Sequence, residues 1–170
     1  MSTIAVVGNP KPHSRTRSAA ELVVERLTGA PPDRVVDVVE LGAGLLGWGD
    51  PAVEEAVAAL RDAEVAVVAS PTYKATYTGL LKLFLDRFAG GTGLRGVAVP
   101  LMLVAHPGHA LAGELHLRPL LAELGATTTR AAYVLDQEHD RAEAYTDWLD
   151  AVRPSVTALL TTHANEGVAS

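Results

Sequence analysis

Cysteine is absent from the 170 residues, which excludes disulfide scaffolds, thiolate metal sites and cysteine nucleophiles. Aromatic side chains make up only 5%, so few protein rings are available for stacking. A planar ligand would have to be gripped mainly by backbone and short side chains. Positive charge is also scarce, with 14 Lys and Arg against 20 Asp and Glu and a formal net charge of -6. No polybasic surface for nucleic acid or membrane is implied. Apolar runs are short, and none approaches the roughly 18 residues of a membrane span. Met1-Ser2-Thr3 leads directly into Ile4–Val7, which Gly8 ends; that run is too short for a signal-peptide core and has no basic lead. The expected location is cytoplasmic.

What is present suits a globule: 48% hydrophobic and 20% charged residues exclude a disordered chain. The length predicts one domain over residues 1–162, with a frayed tail at 163–170. Five apolar runs, mostly valine-rich, read as strands: Ile4–Val7, Val35–Val39, Val65–Ala69, Val97–Val104 and Thr127–Leu135. Three of them lack polar alternation, as in a parallel sheet covered on both faces. The second is broken by Asp37 and followed by Glu40, the pattern of a more exposed edge strand.

Helical stripes separate the runs. They cover Ser18–Leu27, a segment opened by Asp50-Pro51, Thr78–Phe88, Ala112–Leu124 with Gly125 as a left-handed cap, and a last helix from about Glu138 that Pro154 should kink or restart. Strict alternation of strand and helix predicts an α/β fold, a doubly wound five-stranded parallel sheet of order 2-1-3-4-5 with helices on both faces, the flavodoxin-like plan. Pro100 resists this plan, because an internal strand disfavours proline; either a bulge falls there or the strand begins after it.

Ligands of such sheets lie beyond the carboxyl ends of the strands, so the loops Gly8–Arg17, Ser70–Gly79 and Ala105–Ala112 are the ones that matter. The first reads Gly8-Asn9-Pro10-Lys11-Pro12-His13-Ser14-Arg15-Thr16, which is neither a dinucleotide G-x-G-x-x-G nor a P-loop. Two hydroxyls flank an arginine at a helix start, where free N–H groups and the dipole favour an anion: a terminal-phosphate site. Alternatively Ser14 merely caps the helix. In the second loop Pro71 adds stiffness, and the Thr72 and Tyr73 N–H groups would meet a flat heterocycle edge-on. Tyr73 or Tyr77 would pack on its face or line the approach, or both would be ordinary loop packing. His106-x-x-His109, with Glu114 and His116 nearby, has weak metal-ligand character, and no metal is expected.

At these residues the chain resembles the NAD(P)H-dependent FMN reductases, and in pattern the reductase components of alkanesulfonate-type two-component monooxygenases. The resemblance rests on Gly8-Asn9-Pro10-Lys11 with Ser14-Arg15-Thr16, on Ser70-Pro71-Thr72-Tyr73-Lys74 through Tyr77-Thr78-Gly79-Leu80-Leu81-Lys82, and on Leu117-Arg118-Pro119-Leu120-Leu121, and it spans residues 3 to 155. It implies that Ser14, Arg15 and Thr16 hold the FMN phosphate, that Pro71, Thr72, Tyr73 and Lys74 border the isoalloxazine, and that the loop carrying His106, Gly108 and His109 closes over the pyrimidine end. Many relatives have Gly-Gly or Gly-Thr where this chain has His106-Pro107, and Leu115-His116 stands where some two-component members insert an aromatic.

The implied activity is hydride transfer from NADH or NADPH to FMN, which needs no protein acid, base or nucleophile and agrees with a sequence that shows no catalytic triad. His109 would be a donor to the reduced ring or a histidine in solvent. Reduced FMN would pass to a partner monooxygenase. The alternatives are an FMN-bound quinone or azo reductase and a non-enzymatic electron carrier. The resemblance also implies a homodimer or homotetramer, with Leu81, Leu83, Phe84, Asp86 and Phe88 offering either a dimer surface or core packing.

Overall fold

The computed structural model describes residues 1–166. Strands β1 (Thr3–Val7), β2 (Arg34–Asp37), β3 (Val65–Pro71), β4 (Val97–Val104), β5 (Thr127–Thr128) and β6 (Ala132–Leu135) alternate with helices α1 (Arg15–Thr28), α2 (Pro51–Asp62), α3 (Gly79–Leu85), α4 (Arg118–Glu123) and α5 (Thr146–Glu166). All pairings are parallel, in the order β2-β1-β3-β4-β5, with β6 also on β4. The doubly wound sheet is therefore as expected. Of the tail expected from residue 163, residues 167–170 lie outside the described residues, and α5 reaches Glu166.

Side chains alternate across the sheet. Ile4, Val6, Ala66, Val68, Ala98 and Met102 face α2, α3 and α4, while Ala5, Val7, Val67, Ala69, Val99 and Leu101 face α1 and α5. β1, β3 and β4 are buried over almost their full length, which is why their sequences do not alternate. Asp50 caps α2, accepting from the N–H groups of Ala52 and Val53 at 3.0 and 3.1 Å, with Pro51 at the first helical position. Gly125 has φ +100°, the left-handed conformation expected after α4.

Three expectations change. The fifth apolar run is two short strands, and the break between them explains Pro100. The carbonyls of Gly96 and Ala98 accept from the N–H groups of Thr127 and Thr129, whereas that of Leu103 points the opposite way, to the Thr72 N–H. Pro100 shares the parity of Ala98, so the N–H it lacks would face the interval between β5 and β6. It pairs with Val68 in continuous register, without a bulge. The last helix starts at Thr146, because turns at Asp136–Glu138 and Ala142–Tyr145 occupy the preceding stretch; it continues through Pro154. Before α4, Gly113–Leu117 forms a π-helical turn within the stretch expected as one regular helix over Ala112–Leu124.

Candidate active site

The first loop is built from its own polar contacts. Asn9 reaches in both directions: its Oδ1 accepts from the Lys11 N–H at 2.9 Å, and its Nδ2 donates to Thr16 Oγ1 at 2.8 Å. His13 then takes a left-handed conformation, φ 49°, and its N–H donates to Asp37 Oδ2 at 3.2 Å. Ser14 caps α1, accepting from the Arg17 N–H at 3.3 Å. That bond uses a lone pair and leaves the Ser14 O–H free to donate. The N–H groups of Arg15 and Thr16, in the first turn, have no helical carbonyl to bond.

Asp37 corrects the sequence expectation for β2. It is 3% exposed, because the first loop folds over the carboxyl end of that strand. Its Oδ1 is buried without a partner. Burial pushes its carboxyl above the usual range, opposed by the His13 N–H, which favours the charged form.

The second loop is pinned at its base. Ser70 Oγ accepts from the Thr78 N–H at 3.0 Å, and the Thr78 hydroxyl both accepts from the Leu81 N–H at 3.1 Å and donates to the Gly8 carbonyl at 2.5 Å. Thr78 thus caps α3 and joins the two loops. Tyr73 and Thr76 exchange N–H···O bonds at 2.8 and 3.2 Å around Lys74 and Ala75, both left-handed with φ 52° and 68°: a tight two-residue hairpin without glycine.

The expectation that the Thr72 and Tyr73 N–H groups face a ligand is corrected. The first donates to the Leu103 carbonyl at 2.8 Å, extending the β3–β4 ladder, and the second closes the hairpin. Thr72 Oγ1 instead stands buried with no partner. Of the two tyrosines, Tyr73 is half-exposed on the cleft, whereas Tyr77 packs against the core on the α3 side.

The loops enclose an open cleft of about 450 Å³ at the carboxyl ends of β1, β3 and β4. Ser14, Arg15, Pro71, Thr72 and Tyr73 line it together, with Asn9, Lys11, His13, Leu103, Ala105 and Asp136. Thr16 is buried beneath it, bonded to Asn9. Lys74 stands at the hairpin tip outside the lining. His106 and Gly108 are exposed and His109 half-buried in a turn beside the cleft, in which His106 Nδ1 accepts from the Gly108 N–H at 3.0 Å. Glu114 is held by Arg118 and by the Ala131 N–H. Among the described residues, no group of three or more His, Asp or Glu side chains converges as a metal site.

Asp136 is the lining residue that sequence reasoning missed. It follows the last strand directly, at the carboxyl edge where ligands are expected, outside the loops after strands one, three and four. Its Oδ2 lies 2.5 Å from Arg15 Nη1.

The residue set fits a phosphate-bearing planar ligand. Free helix N–H groups, Arg15 and Lys11 gather cationic and donor character at one end. At the other, Pro71 and the Tyr73 ring offer a flat wall.

Comparison with known proteins agrees. "FMN reductase (NADPH)" of Escherichia coli (strain K12) is 29% identical over 130 residues, covering 74% of this chain and 68% of the relative. "NADH-dependent FMN reductase SfnF" of Pseudomonas putida is 30% identical over 171 residues, covering 91% and 90%. The apo crystal structure of the NADH:FMN oxidoreductase EMOB superposes with a TM-score of 0.78 at 27% identity, over 95% of this chain and 89% of that one. The profile of the NADPH-dependent FMN reductases matches residues 1–140, a stretch that runs from β1 through the turn carrying Asp136, and the chain belongs to that family.

Proposed function

We propose that this cleft binds FMN with its phosphate at the start of α1, and that the chain reduces the flavin with NADH or NADPH and supplies it to a partner monooxygenase in the cytoplasm. The observation that carries the site reading is the joint lining of one cleft by Ser14 and Arg15 from one loop and Pro71, Thr72 and Tyr73 from the other. When bound, FMN supplies the hydride-accepting ring, and no protein acid or base is needed.

The protein's part is to hold and orient. Arg15, the N–H groups of Arg15 and Thr16, and the Ser14 hydroxyl take the phosphate charge. Thr16 supports the loop from below through Asn9. Pro71, Thr72 and Tyr73 border the ring, and Lys74 lies at the rim. The turn of His106, Gly108 and His109 closes the far side. Delivery to a monooxygenase is supported by the motif resemblance to two-component reductases. Homo-oligomerisation is supported by Leu46 and Trp48, exposed by 81% and 84% near α3. Most of the α3 stripe itself is spent internally, since Leu81, Phe84 and Phe88 are buried in the protomer.

Anaerobic stopped-flow mixing of the FMN-loaded protein with each nicotinamide tests the activity. Flavin bleaching with at least one donor is expected, and none with either refutes the reading. Arg15→Ala should weaken FMN binding while sparing riboflavin, which has no phosphate. Recovery of reduced FMN in an anaerobic ultrafiltrate is the outcome expected of a supplier; complete retention by the protein counts against release to a partner. Sedimentation of wild type and Trp48→Glu checks the assembly.

A further inference from the structure

The arginine proposed to meet the phosphate already has an anionic partner. Arg15 Nη1 lies 2.5 Å from Asp136 Oδ2, and the pair bridges the cleft from the start of α1 to the turn after β6. Asp136 is the only carboxylate among the described residues lining that cleft. Its place is fixed by structure independent of its side chain. The Asp136 carbonyl is 3.1 Å from His139 Nδ1, and the His139 carbonyl in turn accepts from the buried Tyr145 hydroxyl at 2.8 Å. The carboxylate is therefore presented at the mouth by an anchored turn rather than swept there at random.

We propose that Asp136 sets the protein's affinity for the flavin phosphate by competing with it for the Arg15 guanidinium. The inference rests on the phosphate reading of the cleft given above. A phosphate arriving at α1 must displace the carboxylate or share the arginine with it, and in either case it meets a like charge nearby. Both side chains are partly exposed, at 60% and 43%, so the competition is screened and moderate. Moderate competition suits a reductase that must release its flavin: it raises the dissociation rate without removing the donors that orient the bound molecule.

The experiment is a fluorescence titration of FMN and of riboflavin into wild type, Asp136→Asn, Arg15→Ala and the double variant, with thermal melts as a folding control. Asp136→Asn should bind FMN about three- to tenfold more tightly, as expected for removing one partly exposed like charge and freeing one cation. Riboflavin affinity should not change, and the gain should largely disappear when residue 15 is already alanine. Unchanged or weaker FMN binding in Asp136→Asn overturns the proposal, and weaker binding would mean that Asp136 orients Arg15 productively. Equal tightening for FMN and riboflavin also overturns it. If Arg15→Ala fails to discriminate FMN from riboflavin, the phosphate reading itself is wrong; if it discriminates and Asp136→Asn does not tighten FMN, only the competition is wrong.

Discussion

Asp37 shows how one side chain links a strand to a ligand loop. One oxygen fixes the strained His13 by accepting its N–H, while the other is buried without a partner. A carboxyl whose folded pKa is raised binds its proton more tightly in the native state. Its ionisation therefore costs stability, and that cost appears as pH rises from the ordinary carboxylate range through the raised folded value. Asparagine keeps an acceptor for His13 and cannot ionise. Asp37→Asn should raise stability at pH 7 by up to about 1 kcal/mol, because removing the buried charge outweighs leaving an amide N–H without a partner. It should also flatten the decline above the ordinary carboxylate range, as measured by urea denaturation across pH. Asp37→Leu, which loses the acceptor, should weaken FMN binding. From the sequence Asp37 looked like a solvent-facing break in an edge strand. Nothing local marks the loop that covers it, since His13 lies far away in the chain.

Two connecting elements differ from the regular pieces that pattern reasoning supplies. The Tyr73–Thr76 hairpin places Lys74 and Ala75 in a conformation that glycine adopts without cost. Ala75→Gly should stabilise the protein by about 0.5–1 kcal/mol, the relief of left-handed strain less the added unfolded-state freedom. A lower melting temperature would show that the alanine methyl makes a compensating contact. The π-helical turn is held by Glu114. Burial works against its charge, but the Ala131 N–H and the Arg118 guanidinium together keep its carboxyl below the usual range. Such a group contributes stability above its unfolded pKa and loses it as pH falls through the lower folded value. Glu114→Ala should cost about 1–3 kcal/mol at pH 7 and lose most of that difference in acid, as read from melts at descending pH. The helix caps Asp50 and Gly125 were legible because their signals are local. The π-turn and the break at Thr129–Ala131 were not, because each depends on a contact across the chain: Glu114 with Ala131, and Pro100 with the neighbouring strand.

The whole molecule depends on the seam where β1, β3 and α3 meet. A Cβ placed on Gly8 would lie 2.4 Å from Leu81 Cβ, an atom that no rotamer change can move. The Thr78 hydroxyl bonds the Gly8 carbonyl at the same seam. Gly8→Ala must push α3 outward, and should destabilise by about 1–3 kcal/mol in equilibrium denaturation while loosening flavin binding, since both loops start there. The strand order and the cleft's position were readable from alternation together with the count of five strands and five helices, because a parallel sheet with right-handed crossovers leaves few alternatives. The partnering inside the cleft was not, since which N–H groups are spent on the protein's own turns depends on atomic distances.

The edge of the sheet carries one more consequence. On the β4 side, an approaching strand would find two residues of β5, a detour at Thr129–Ala131, and then four residues of β6. On the other side β2 offers four residues before the chain turns away. Neither border gives a long straight ladder to copy. A chain this rich in valine, whose β3 segment up to Ser70 would be fibril-prone if uncovered, is thereby kept from templating its own aggregation while folded.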